Sequence, residues 1–183
     1  MSTSVKIMQR EEKEIFCQNI YEEDIVKPSE ILCSYETYAN TVEILLPTGC
    51  YTNFRDALFH FRKLVVSVED KEIECQAFAI KEHMSRALTD AATSILDHSS
   101  FVAERLLSDD KITPEVKENV RKILHKMKKA NLRKRFSGMM LANDKIKISH
   151  KEMLELIDEF YDYVNSNCKE EYAKYSQEYV NEL

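Results

Sequence analysis

Glycine occurs twice and proline three times in this chain of 183 residues, and that scarcity narrows the fold more than anything else in it. Tight β-turns and sandwich corners draw on Gly for positive φ and on Pro for a preset φ. Only Gly49, Gly138, Pro28, Pro47 and Pro114 are available to punctuate the chain. Lys, Glu, Leu, Ala and Met abound instead, and all are good helix formers. The expectation is an all-α antiparallel helical bundle of about five helices.

Hydrophobic spacing places those helices. Residues 1–27 are polar and acid-rich and read as an N-terminal arm, with Ile7, Ile15, Phe16 and Ile20 offering some apolar contacts. The rest, 28–183, reads as a single helical-bundle domain, long enough to bury a substantial core. A first helix should open after Pro28 with Ser29 as its N-cap, and Pro47-Thr48-Gly49 should stop it. A second should begin near Thr52, with Phe54, Ala57, Leu58, Phe61 and Val65 as its stripe. After a turn at Ser67–Asp70, the near-heptad series Ile73, Ala77, Ile80, Met84, Ala87, Ala91 and Ile95 marks a long third helix. Asp97-His98-Ser99-Ser100 is a candidate kink in it. Thr113-Pro114-Glu115 supplies a cap, a proline in the first turn and an acid at the positive dipole end of a fourth helix. Residues 143–148 read as a loop, and Ser149 with Glu152 as the capping box of the last helix. That helix carries a tyrosine stripe, Tyr161, Tyr172, Tyr175 and Tyr179, which suits a core or an interface better than base stacking.

Charge is unevenly placed. The net charge is -6, so the protein as a whole is no generic polyanion binder. Yet Lys117 to Arg135 holds nine basic residues against the single acid Glu118, while Lys151 to Leu183 holds nine acids against three lysines. Arg121, Lys122, Lys126, Lys129 and Arg133 could follow an RNA backbone by neutralising phosphates. They could equally pair with the acidic last helix. The five cysteines are odd in number and lack C-x-x-C spacing, as expected for reduced thiols in a cytoplasmic protein. No signal peptide or apolar run of membrane-spanning length is visible.

One short segment carries chemistry. Asn53-Phe54-Arg55-Asp56-Ala57-Leu58-Phe59-His60 sets an arginine, a carboxylate and a histidine near the start of a helix. An imidazole, with an ordinary pKa of about 6.5, suits proton transfer. A guanidinium grips phosphate with a bidentate fork. Asp56 and His60 are one turn apart, so the carboxylate could orient the imidazole. Arg55 and His60 sit roughly 140° apart on an ideal helix. A distorted first turn, the reach of Arg, or two subunits sharing a cleft must bring them to one phosphate. On the third helix, His83, Arg86 and Asp90 share a face and could complete a polar pocket. Their plainer reading is a surface salt bridge between Arg86 and Asp90.

The segment Arg55-Asp56-Ala57-Leu58-Phe59-His60 resembles the R-x4-6-H motif of the HEPN superfamily, with Asp56 in the polar slot after the arginine. The run Ala79-Ile80-Lys81-Glu82-His83-Met84-Ser85-Arg86-Ala87-Leu88-Thr89-Asp90-Ala91 resembles the helix that follows the motif in some bacterial members. The likeness covers roughly residues 29–107. It implies a helical bundle, frequent dimerisation across the motif helices, and metal-independent RNA cleavage in toxin or antiphage systems, with Arg55, Asp56 and His60 as the catalytic group. Relatives paired with nucleotidyltransferases carry H-x-Y, whereas His60 is followed by Phe61 and Arg62. The modified tyrosine of that subgroup has no counterpart.

Two glycines cannot build a Walker or Rossmann loop, His and Cys do not fall at zinc spacing, and no G-x-S-x-G elbow is present. No metal or cofactor is expected. The alternative to an RNase is a non-catalytic helical adaptor that binds a protein partner through its basic and acidic helices.

Overall fold

Pro28 does not start a helix; it lies inside one. The structure, a computed structural model, describes residues 9–137 and 143–182, with side chains described for 9–130 and 150–182. Helix α1 (Arg10–Tyr21) passes through a π-helical turn (Glu22–Val26) directly into α2 (Lys27–Thr41). A proline inside an α-helix lacks a donor and collides with the carbonyl four residues back. The π-turn inserts the extra residue that relieves the collision: Lys27 N–H donates to Glu22 O, five residues earlier. Ser29 is therefore no N-cap. Its hydroxyl donates back to Val26 O (2.7 Å).

The remaining helices are α3 (Thr48–Val66), α4 (Asp70–Ser108), α5 (Pro114–Ser137), α6 (Asn143–Asn167) and α7 (Lys169–Glu182). With α1, the π-turn and α2 counted as one, six helical stretches and no strand occur among the described residues. The fold is all-α. No helix among the described residues is long and apolar enough to cross a membrane.

The chain forms two compact units. The first comprises Met1–Cys33 with Pro47–Asp90. Its core is Ile20, Ile25, Ala57, Leu64, Ile73, Ala77, Ile80 and Met84, with Phe16, Cys17, Phe54 and Phe61 packed against it. The polar N-terminal stretch thus contributes apolar side chains to this core. Truncating one buried member such as Ile80 to Ala costs roughly 2–5 kcal/mol. Lys13 fastens α1 by donating to Val65 O (2.7 Å) and Ser67 O (2.5 Å), where α3 ends and its carbonyls lack helical partners. Asp24, in the π-turn, faces Lys81 of α4 at 3.7 Å.

Helix α3 begins at Thr48, four residues earlier than its stripe suggests, so Gly49 sits in its first turn. A Cβ at Gly49 would lie 3.0 Å from the Asp90 carboxylate. Glycine lets that carboxylate approach the helix start, where the partial positive charge favours it.

The second unit comprises Ser34–Leu46 with Ala91–Leu183. Helix α2 ends at Thr41 rather than running on to Pro47. Its end is a Schellman motif, with Ile44 N–H on Ala39 O (2.9 Å) and Glu43 N–H on Asn40 O (3.3 Å). Glu43 takes the left-handed position, φ 59°, that glycine usually fills.

Helix α4 runs unbroken through Asp97-His98-Ser99-Ser100. Tertiary structure absorbs the middle of the quartet instead: His98 and Ser99 are fully buried, and His98 Nε2 meets Ser176 Oγ at 2.9 Å, while Asp97 stays exposed. Helix α6 starts at Asn143, so residues 143–148 are helical and Ser149 is an interior position. The last stretch breaks at Cys168 into α6 and α7. Of the tyrosine stripe, Tyr172 and Tyr175 are buried and Tyr161 and Tyr179 half-buried; Tyr161 meets Tyr38 and Tyr172 edge-on, and Tyr179 meets His98.

Candidate functional site

Helices α3 and α4 are joined by the three residues Ser67–Glu69. Their facing positions therefore lie at equal distances along the chain from Val68. Asn53 and His83 form one such pair, His60 and Gln76 another. Asn53 and His60 are seven residues apart on α3, and Gln76 and His83 seven apart on α4, so each pair of positions shares a face. Together the four side chains make a polar patch beside the core stripe of Ala57 and Leu64.

The hydrogen bonds fix the ring chemistry. Gln76 Oε1 only accepts, so His60 Nδ1–H must donate to it (2.7 Å). The Asn53 amide nitrogen donates to Gly49 O (2.9 Å), which turns Oδ1 toward His83 and makes His83 Nδ1–H the donor (3.0 Å). In both imidazoles Nε2 is the nitrogen left over. Among the described residues it has no hydrogen-bond partner in either ring. The rings stack with centroids 5.2 Å apart and 19° between planes. Phe59 stands edge-on to His60 at 5.9 Å. Both histidines are half-buried.

Arg55 does not join them. Its guanidinium lies across the neighbouring Asp56 carboxylate (Nη2 to Oδ1, 3.0 Å) with 74% of its side chain exposed. Asp56 thus partners Arg55 and not His60; Gln76, from the facing helix, orients the imidazole. The cause is helical phase: His60 points across to α4 while Arg55 points outward, as the roughly 140° offset requires. Arg86 pairs with Glu82 (3.0 Å) rather than with Asp90, which is drawn to the start of α3. Of the expected supporting face, only His83 reaches the imidazole.

Helix α3 is basic and partly apolar on its outer side. Arg55, Arg62 and Lys63 are balanced by Asp56 alone, and Lys63 lies over the Phe59 ring at 4.5 Å. Tyr51, Leu58, Phe59, Val65 and Val66 are exposed along the same helix.

The basic helix α5 is largely paired within the chain. Arg121 and Lys122 both reach Glu118, at 2.7 and 3.6 Å. Lys126 binds Glu159 of α6 at 2.8 Å, and Lys128 approaches Glu104 of α4 at 3.6 Å. Lys129 is exposed. The Arg133 side chain lies outside the described residues. Exposed pairs of this kind contribute about 0–1 kcal/mol each, but they lower the net positive potential of the helix.

Asn53 opens the Arg55–His60 segment without a role evident from sequence, and Gln76 does not stand out in the sequence at all. The signal that finds them is polar side chains recurring every seven residues on both arms of a helical hairpin, in phase about the turn. Among the described residues no three His, Cys, Asp or Glu side chains gather so as to hold a metal ion.

What the geometry defines is an all-α protein with a paired-imidazole patch on a helical hairpin. No known family model, curated protein or solved structure matches the chain.

Proposed function

We propose that this protein is a HEPN-like ribonuclease, cleaving RNA without metal in a cytoplasmic defence or toxin setting. The observation that carries the reading is His60: its Nδ1–H is committed to Gln76 and its Nε2 has no partner among the described residues. A base so held has one tautomer and one direction, which general base catalysis needs. His60 Nε2 takes the proton of a ribose 2′-hydroxyl, and O2′ attacks the adjacent phosphorus. The basic outer side of α3 favours an anionic substrate.

Arg55 supplies the charge for the phosphorane oxygens. Within one chain it points away from His60, so the working arrangement is a homodimer in which α3 of a second copy brings its Arg55 to the first copy's His60. The exposed Tyr51, Leu58, Phe59 and Val66 beside Arg55 give a second copy an apolar surface to cover. The Arg55–Asp56 pair keeps the guanidinium extended along the helix until phosphate competes for it.

The test is the chemistry of the cut ends. Cleavage by O2′ attack leaves a 2′,3′-cyclic phosphate and a 5′-hydroxyl, and a single 2′-deoxy substitution at the scissile nucleotide blocks it. Cleavage that continues past the 2′-deoxy position, or that leaves 5′-phosphates, removes the reading.

The non-catalytic adaptor is the second reading, favoured by the same exposed apolar side chains on α3. The internal pairing of Arg121, Lys122, Lys126 and Lys128 speaks against α5 as its docking surface. Charge reversal at Arg121, Lys122 and Lys126 should leave partner binding intact if α3 is the contact.

A further inference from the structure

His83 lies beside the proposed base with the same kind of anchorage, and nothing in the reaction so far uses it. We propose that His83 is the second proton-transfer group, the acid that protonates the departing 5′-oxygen; this rests on the RNA-cleavage reading above. Three observations carry it. His83 Nδ1–H is locked on Asn53 Oδ1, and Asn53 is itself locked on Gly49 O, so the ring has a fixed edge and a fixed tautomer in its neutral state. Its ring is near-parallel to His60 with centroids 5.2 Å apart. It is half-buried, as His60 is, and like His60 it commits its Nδ1 edge to an amide oxygen within the hairpin.

That spacing matches the task. In-line displacement puts the attacking and leaving oxygens on opposite sides of one phosphorus. Each proton handover spans a hydrogen bond of about 2.6–3.2 Å. Two imidazole edges one ring-stack apart can therefore reach both oxygens at once, which a single imidazole can do only by moving between them.

The step balances without a co-reactant. The 2′-hydroxyl proton passes to His60 Nε2 as the O2′–P bond forms. The P–O5′ bond breaks, and the proton on His83 Nε2 passes to O5′. The products are a 2′,3′-cyclic phosphate and a 5′-hydroxyl. His60 ends protonated and His83 neutral, and exchange with water restores both.

A merely supporting role for His83, as a flat surface that steadies His60, predicts a different result when the leaving group changes. The probe is an RNA oligonucleotide with sulfur in place of the bridging 5′-oxygen at one position. A thiolate leaves without protonation, so this substrate needs the base but not the acid. On ordinary RNA, His83→Gln should lose about a hundredfold or more in rate, the usual yield of general acid catalysis. On the 5′-thio RNA it should stay within about tenfold of the parent. His60→Gln should lose on both substrates.

If His83→Gln cuts ordinary RNA at the parental rate, the proposal is overturned. If it loses equally on both substrates, His83 only positions His60, and the proposal is again overturned. Rescue of His60→Gln in place of His83→Gln reverses the roles and overturns it too. His83→Asn is the second variant, read the same way, should the Gln variant melt lower than the parent. Failure of the parent protein to cut either substrate is a separate outcome: it removes the ribonuclease reading and this inference with it.

Discussion

His83 lies over His60 in near-parallel planes, their ring centroids 5.2 Å apart. Each ring is aimed by an amide oxygen from the opposite helix, Gln76 for His60 and Asn53 for His83. The hairpin turn at Ser67–Glu69 sets the register of both pairs at once. Lengthening that turn by one residue would rotate the whole patch out of phase.

Gln76 is the least conspicuous member of the patch and gives a sharp test. Gln76→Leu keeps much of the volume and removes the acceptor. A histidine without its Nδ1 partner is released to turn and to change tautomer. RNA cleavage should fall about tenfold, the rate equivalent of one hydrogen bond of about 1–1.5 kcal/mol. The melting temperature should stay near the parent's, because the side chain is half-buried and outside the core. A parental cleavage rate would show that Gln76 plays no part in aiming His60.

Glu43 offers a stability prediction independent of function. Its φ of 59° is a left-handed conformation at the end of α2. For a residue with a Cβ this costs about 1–2 kcal/mol, and glycine recovers most of it at an entropy cost of about 0.5–1 kcal/mol. Glu43→Gly should therefore stabilise the protein by about 0.5–1 kcal/mol, raising the melting temperature by about 1–4 °C in a chain this size. A lower melting temperature would mean that the Glu43 side chain contributes more than its backbone costs.

His98 sets a pH dependence. Ser176 spends its one hydroxyl proton on Val42 O (3.4 Å), so His98 Nε2–H donates to Ser176 Oγ and Nδ1 is left without a partner. Protonating Nδ1 would bury a charge with no acceptor, and burial lowers the pKa from its ordinary 6.5 to about 4. The unfolded chain takes up that proton as pH falls below about 6.5, while the folded chain resists until about 4. The stability tied to neutral His98 is thus complete above about pH 6.5. It is lost progressively toward pH 4, by an amount on the order of 3 kcal/mol. His98→Gln keeps a donor for Ser176 and cannot titrate. The difference between parent and variant urea midpoints should shrink or reverse between pH 7 and pH 4.5. A constant difference would show that His98 does not carry the effect.

Much of this architecture is legible in the sequence, because few glycines and long apolar periods leave little alternative to helices. The turn at Ser67–Asp70 and the start of α5 at Pro114 are set by local chemistry, and local chemistry can be read. The π-turn before Pro28 cannot. It depends on an N-terminal helix whose Phe16, Cys17 and Ile20 are held by a core assembled from α3 and α4. The continuity of α4 through His98 is hidden for the same reason, since His98 finds its partner in Ser176, far along the chain. At the site, Arg55, Asp56 and His60 stand out as a motif. Their true partners are set by helix phase: Asp56 turns to Arg55, and His60 turns across the hairpin to Gln76 and His83.

The proposed RNA cleavage rests on His60 and Arg55. Its most direct measurement is cleavage of a labelled single-stranded RNA in EDTA by the parent protein, Arg55→Ala and His60→Ala, each purified at matched helicity by circular dichroism. Cleavage should be seen with the parent alone, each variant losing at least a hundredfold, about the smallest effect expected of a catalytic acid–base group. Cleavage that persists in both variants, or a parent that leaves the RNA whole, would contradict it.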